Sequence, residues 1–276
     1  MSDWPIGIST GCFYQSDILD ILEVVRDGGF SMIEVCSFPK HLDYHDDAKV
    51  KVAARRIREV GLDPFSFHAP FADHIDITSL DDEIKKKSVK ELIKAAEAAA
   101  TLGVKHIVLH PGPEREGRPP AEEFYDHLER ACESVNTVAK RCDELGLILL
   151  LENMLPHLLF GRTRDMLYIM GSAESDNVGT CLDTGHAHLA GDLASVVHKL
   201  SSHLRMVHVN DNRGDSDAHL PPGEGHVDWR QVLSQLEHWN FRGALILELS
   251  GRHGENYHQA MSEARGARDY LSHMTL

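Results

Sequence analysis

The sequence predicts a (β/α)8 barrel, the TIM-barrel architecture, formed as one domain over residues 1–276. Three observations predict it. Eight short apolar runs recur along the chain, each closed by a polar or glycine-containing turn. Helical patterns fill the intervals between them. The length of 276 residues suits a fold that typically takes about 250. The runs are nearly continuous in apolar character rather than alternating, as parallel strands covered on both faces require. A doubly wound open sheet is the alternative. It needs fewer strands and a glycine-rich phosphate loop after the first, and neither GxGxxG nor GxxxxGK followed by Ser or Thr occurs.

The elements follow in order. The first run, residues 6–11 (IGISTG), leads to a helix over 16–26 that opens on a Ser/Asp cap and stops at Gly28 and Gly29. The run at 32–36 (MIEVC) precedes a helix over 46–60, and the run at 65–70 (FSFHAP) one over 80–102. The Ala-rich KAAEAAATLG of that third helix packs close to the barrel, and its KKK at 85–87 is a solvated face. The run at 106–112 (HIVLHPG) precedes a helix over 121–145. Then come runs at 147–154, 178–186, 206–212 and 244–251, with helices over 163–171, 193–203, 229–239 and 256–272. Three helix exits read alike: EVGLD, TLGVK and ELGLI. Each puts Gly just past the helix and an apolar residue next, the sequence form of a Schellman cap.

Composition narrows the function. Asp and Glu number 43 against 28 Lys and Arg, for a net charge of -15. Such a surface repels phosphate backbones, so nucleic acid is not the expected partner. The five cysteines are scattered without a CxxC pair, which predicts buried free thiols. The N-terminus lacks the basic and apolar regions of a signal peptide. No run approaches the ~18 apolar residues of a membrane span. The expectation is a cytoplasmic protein without a membrane partner. Histidine is in excess, at 19 residues.

The barrel says where to look, because catalytic residues of this fold lie at the C-terminal ends of the strands. Six predicted strands end in a metal-ligand residue type: His68, His110, Glu152, Asp183 with His186 three residues on, His208 and Glu248. The loop after strand 7 adds Asp217 and His219. An unpaired carboxylate at the end of an apolar run such as ILLLE or LILE is costly to bury, and a shared cation removes that cost. Imidazoles and carboxylates without thiolates suit Zn, Mn, Fe or Co, and Mg less well. At least one divalent metal site is expected, and up to three.

At these residues the chain resembles the xylose isomerase-like TIM barrels, a superfamily of sugar isomerases and epimerases, inosose dehydratases and endonuclease IV. FHAP, LHPG, LLEN, CLDTGHAH, VHVND, DAHLPPGEGHVDW and LELS occur in the expected order over the whole chain. The resemblance to the isomerase and epimerase branch implies one metal held by Glu152, Asp183, His208 and Glu248, with Glu152 and Glu248 as the proton-transfer pair. The resemblance to endonuclease IV implies three metals. The first would be held by His68, His110 and Glu152, the second by the four residues just named, and the third by His186, Asp217 and His219. The loop SFPKHLDYHDD, with one Lys and three Asp, speaks against DNA.

The preferred expectation is a metal-dependent sugar or sugar phosphate isomerase or epimerase of carbohydrate metabolism. Its substrate is a ketose, an aldose or a related 2-hydroxy carbonyl compound, taken through an enediolate. His186 and Arg213 are expected to bind substrate oxygens. Arg115, Arg118, Arg162, Arg164 and Arg252 lie in loops after strands and leave a phosphorylated substrate open. A phosphodiester hydrolase acting at abasic DNA and an inosose dehydratase-like lyase are the alternatives, with a non-catalytic barrel behind them. The partners expected are a small-molecule carbohydrate and, as an open alternative to a monomer, a second copy in a homodimer. Trp4 and Phe13 either wall the pocket or pack in the core, and Trp229 anchors its helix. His41, His45, His127, His198, His203, His238, His258 and His273 are expected as surface or capping residues.

Overall fold

The computed structural model describes residues 4–115 and 117–274. Eight parallel strands close into a barrel in sequence order: β1 (Ile6–Ser9), β2 (Met32–Cys36), β3 (Asp63–His68), β4 (His106–Leu109), β5 (Ile148–Glu152), β6 (Val178–Asp183), β7 (Leu204–Val209) and β8 (Ala244–Leu247). β1 pairs with β8 through Ile6 with Leu245, Gly7 with Ile246 and Ile8 with Leu247, which completes the ring. The helices among the described residues are α1 (Ile18–Asp27), α2 (Asp47–Glu59), α3 (Asp82–Leu102), α4 (Phe124–Glu144), α5 (Thr163–Gly171), α6 (Thr184–Leu189), α7 (Leu193–Leu200), α8 (Trp229–His238) and α9 (Tyr257–Met274). Among the described residues, no helix is long and apolar enough to cross a membrane.

The expected caps at the ends of α2, α3 and α4 are present. Gly61, Gly103 and Gly146 have φ of 78°, 87° and 72°. The next residue donates five positions back in each case: Leu62 to Ile57, Val104 to Ala99 and Leu147 to Cys142. That is the Schellman hydrogen bond, and glycine supplies the left-handed backbone it needs.

Several sequence expectations are corrected. The helix α6, directly after β6, reads in the sequence as the tail of a strand. A 3-10 turn over Thr10–Phe13 ends β1 two residues early. His110 and Glu248 each fall one residue past a strand, because ladder pairing ends as the chain turns out of the barrel. His41 is fully buried and not a surface residue: its ring bridges Thr10 Oγ1 at 2.9 Å and the Ser16 carbonyl at 2.7 Å. His127 is buried against the Thr78 carbonyl at 2.8 Å. Trp4 precedes β1 and donates to the Phe241 carbonyl, so it lies at the end opposite the mouth. Phe13 packs edge-on against Tyr257 in the core. Four cysteines are buried and Cys132 is half-buried.

Two apolar layers hold the barrel. The larger lies between strands and helices, where Ile33, Val35, Phe67, Leu149, Leu151, Leu182, Val207 and Leu247 face outward. The smaller plugs the lumen with Val108, Leu150, Cys181, Met206, Ala244 and Ile246. Because side chains alternate faces along a strand, the residue two positions beyond each plug residue also points inward. Beyond the last plug residue of each strand, that position lies above the plug, at the mouth.

Candidate metal centre at the mouth of the barrel

Counting two residues on from the plug gives the site. Val108 leads to His110, Leu150 to Glu152, Cys181 to Asp183, Met206 to His208 and Ile246 to Glu248. His68 occupies the same level at the end of β3, in register with Cys36 of β2 and Val108 of β4. The strand ends thus bring His68, His110, Glu152, Asp183, His208 and Glu248 together over an apolar floor. Asp183 also caps α6, accepting from the His186 amide at 2.6 Å. That short helix places His186 one turn inside, beside Asp183.

The distances show which residues meet. Glu152 is the hub, with His68 Nε2 at 3.3 Å and His110 Nε2 at 3.2 Å from its Oε2. His208 Nδ1 lies 3.0 Å from Glu152 Oε1 and 3.3 Å from Glu248 Oε2. Glu152, Asp183, His208 and Glu248 offer ligand atoms all within 4.8 Å of one another, as do His186, Asp217 and His219. These are two of the three groups implied by the sequence resemblance. The third differs: His208 stands with His68 and Glu152 in that mutual approach, where His110 was expected. His110 instead divides its ring between Glu152 and Glu114, whose Oε1 is 2.7 Å from Nδ1.

Every one of the five histidines has one nitrogen held from behind and the other turned to an acid. His68 Nδ1 bonds the Ala69 carbonyl, His186 Nδ1 that of Asn153, and His219 Nδ1 that of Glu248. Glu114 stands behind His110 as an ion-pair partner, and Glu34 accepts from His208. Such back partners fix the tautomer and ring orientation of a metal-ligating histidine. Sequence reading missed both glutamates. Glu34 carried a signal, an acid in the middle of the apolar run MIEVC. Glu114 follows His110 by four residues across a turn and carried none.

The loop between β7 and α8 is organised by Asp211, which is fully buried. Its carboxylate accepts from the Asn212, Gly223 and Val227 amides and from Trp229 Nε1 at 2.9–3.0 Å. A side chain at Gly225 would strike this carboxylate, its Cβ meeting Oδ1 at 2.2 Å. The loop so held carries Asp217 and His219 back to His186, with Asp217 Oδ2 at 3.1 Å from His219 and 3.4 Å from His186. Arg213, in the same loop, is exposed, and its guanidinium makes no hydrogen bond or ion pair among the described residues. Of the other arginines in the mouth loops, Arg115 is paired with Asp76 and Arg252 with Glu224 and Glu263.

The chemistry of these groups fits a divalent cation. Asp217 Oδ1 is buried without a hydrogen-bond partner. Burial pushes the Cys36 and Cys181 thiols up, so imidazole and carboxylate are the donors on offer. Burial also raises Glu152, but His208 and His110 outweigh it and hold the carboxyl well below the usual range. Glu248 goes the other way: burial, with Glu152 and Asp183 beside it, raises it despite His208 and His219. Burial opposes protonation of His186 and His219. Asp183 and Asp217 around the first, and Asp217 and Glu248 around the second, push both up to about 10.

A pH dependence follows from those two rings. Their folded values lie above the ordinary value of about 6.5. Their contribution to the metal-free fold is therefore complete below about pH 6.5 and is lost as pH rises towards about 10. A cation has to displace the same protons, so its affinity rises across that window. Thermal denaturation of chelator-treated protein is expected to show a falling melting temperature over this range. Zinc or cobalt titration is expected to show tightening. An affinity that stays flat with pH would count against these histidines as ligands.

Fold and site together define a (β/α)8 barrel carrying a histidine-and-carboxylate ligand cluster at its C-terminal mouth. Residues 22–274 match the model of the xylose isomerase-like TIM barrel family, and the chain belongs to that family. An uncharacterised protein of Methanocaldococcus jannaschii is 27% identical over 277 residues, covering 98% of this chain and 90% of that protein. A probable endonuclease 4 of Nitratidesulfovibrio vulgaris is 30% identical over 201 residues, covering 66% of this chain and 68% of that protein. Among solved structures, D-psicose 3-epimerase with D-tagatose from Clostridium cellulolyticum H10 superposes with a TM-score of 0.85 at 19% identity, covering 98% and 99% of the two chains. The IOLI protein with a binding zinc atom gives 0.79 at 18% identity, covering 97% and 96%. At such identities these two likenesses establish the fold.

Proposed function

We propose that the protein is a divalent-metal-dependent sugar isomerase or epimerase, acting on a small carbohydrate in the cytoplasm. The observation that carries the reading is the pairing of Glu152 and Glu248 in one ligand group, with opposite electrostatic biases. Two titratable groups whose surroundings push them apart are suited to opposite halves of a proton transfer. Glu152, held ionised by its histidines, takes the proton from the carbon next to the carbonyl. Glu248, biased towards its protonated form, returns one at the neighbouring position or on the opposite face. His186 and Arg213 are assigned to the substrate's oxygens, His186 by its place beside Asp183 in the mouth. A divalent ion held by Glu152, Asp183, His208 and Glu248 would polarise the substrate's carbonyl and hydroxyl oxygens as a Lewis acid.

The D-psicose 3-epimerase among the structural neighbours fits this reading, as does the zinc in the IOLI protein. One observation favours a second reading. The assembled group of His186, Asp217 and His219 offers a further metal site, and a probable endonuclease 4 is among the relatives. A net charge of -15 opposes it, because DNA binding needs basic surface. The test is deuterium uptake from heavy water into a panel of ketoses and aldoses, before and after chelation, run beside nicking of an abasic oligonucleotide. Chelator-sensitive uptake is the expected result. Nicking without uptake would replace the proposal with the nuclease reading. Metal content gives a separate readout, near one ion per chain on the first reading and near three on the second.

A further inference from the structure

Glu34 lies one layer below the ligand cluster, in the middle of β2, and is fully buried. It meets no Lys or Arg side chain among the described residues. Its Oε2 accepts from Ser66 Oγ at 2.8 Å and faces His208 Nε2 at 3.1 Å. Its Oε1 is buried with no hydrogen-bond partner. A carboxylate in such a place is poor support for a fold, since a well-packed apolar side chain often does as well or better. The neighbouring lumen positions are filled that way, by Val108, Leu150, Met206 and Ile246.

His208 explains the exception. The other four histidines of the mouth turn Nε2 to the acids and use Nδ1 for the partner behind. His208 is reversed: Nδ1 faces Glu152 and Glu248, and Nε2 points into the barrel. Backbone carbonyls there are taken up by strand pairing. The hydrogen bond that sets its tautomer therefore has to come from a side chain one level down. We propose that Glu34 is a positioning residue for the metal site. By accepting from Nε2–H of His208, it holds the ring with the Nδ1 lone pair turned to the cluster, ready for a divalent cation.

This inference rests on the metal reading of the site, and the test separates the two. Zinc affinity is measured by competition with a chromophoric chelator for wild type, Glu34→Gln and Ser66→Ala, with metal stoichiometry and the melting temperature of the chelated proteins alongside. Glu34→Gln keeps the shape and loses the charge, and its amide N–H2 favours the wrong tautomer. The expected result is an affinity loss of about 10–100-fold, the range for outer-sphere partners of metal ligands. Stoichiometry is expected to hold and the chelated melting temperature to fall, because the buried charge paired with His208 is gone. Ser66→Ala, which removes one hydrogen bond to the same oxygen, is expected to give a smaller loss in the same direction. It carries the test if Glu34→Gln does not fold. Cobalt-substituted protein adds a signature, since a reoriented imidazole shifts the ligand-field bands. Binding within twofold of wild type with unshifted bands in both variants would overturn the positioning role and leave the metal reading intact. A wild type that takes up no divalent ion would overturn both.

Discussion

Glu248→Gln is expected to slow proton exchange at the substrate carbon by about 10²–10⁴-fold, the usual worth of a positioned acid or base. Bound metal is expected to be retained. Of the two glutamates beside His208 Nδ1, Glu248 is the accessible one, with 19% of its side chain exposed against 1% for Glu152. It is also the one that burial and its acidic neighbours bias towards protonation. Gln preserves shape and one ligating oxygen but carries no transferable proton. Deuterium exchange and metal analysis on the same preparation check this. An exchange rate within a few-fold of wild type would remove Glu248 from the mechanism.

Glu152→Gln is expected to do wider damage. Three histidines converge on this carboxylate: His68 and His110 at one oxygen, His208 at the other. All three rings are raised above their ordinary value against the opposition of burial, with Glu152 among the causes. Removing one partner of a buried charged pair costs about 3–5 kcal/mol. The chelated variant should therefore unfold at markedly lower denaturant, most clearly at acid pH, where the histidines are charged. The variant should also bind metal more weakly in the group shared with Asp183, His208 and Glu248, since Gln keeps one ligating oxygen but not the charge on which three histidines converge. Urea melts at two pH values and a zinc titration measure both effects. Unchanged stability together with unweakened metal binding would contradict the hub role.

Much of the architecture was legible because the signals were local. Strand-length apolar runs, glycine exits from α2, α3 and α4, and ligand residues at run ends all sit within a few neighbouring positions. The ligands themselves obey strand parity, so once the barrel is assumed their convergence follows. What was not legible depended on contacts distant in sequence. His41 finds Thr10 and Ser16 from 31 and 25 residues away, and neither is marked in the chain. Glu34 hides in a strand whose apolar residues face both ways, so the sequence alone does not tell lumen from outer layer. The helix α6 was lost because its cap, Asp183, reads first as a ligand.

The Asp211 anchor bears on how such barrels diverge. Glu152, Asp183, His208 and Glu248 stand on the barrel or one residue beyond it. Asp217 and His219 stand on a connection whose two ends are gathered by a single carboxylate. That connection is a detachable module. An exchange of the segment between Asn212 and Val227 could add or delete one ligand group while every strand keeps its register. Descendants of one barrel could then differ in how many ions they hold through inheritance of a single loop, with no redesign of the scaffold beneath it.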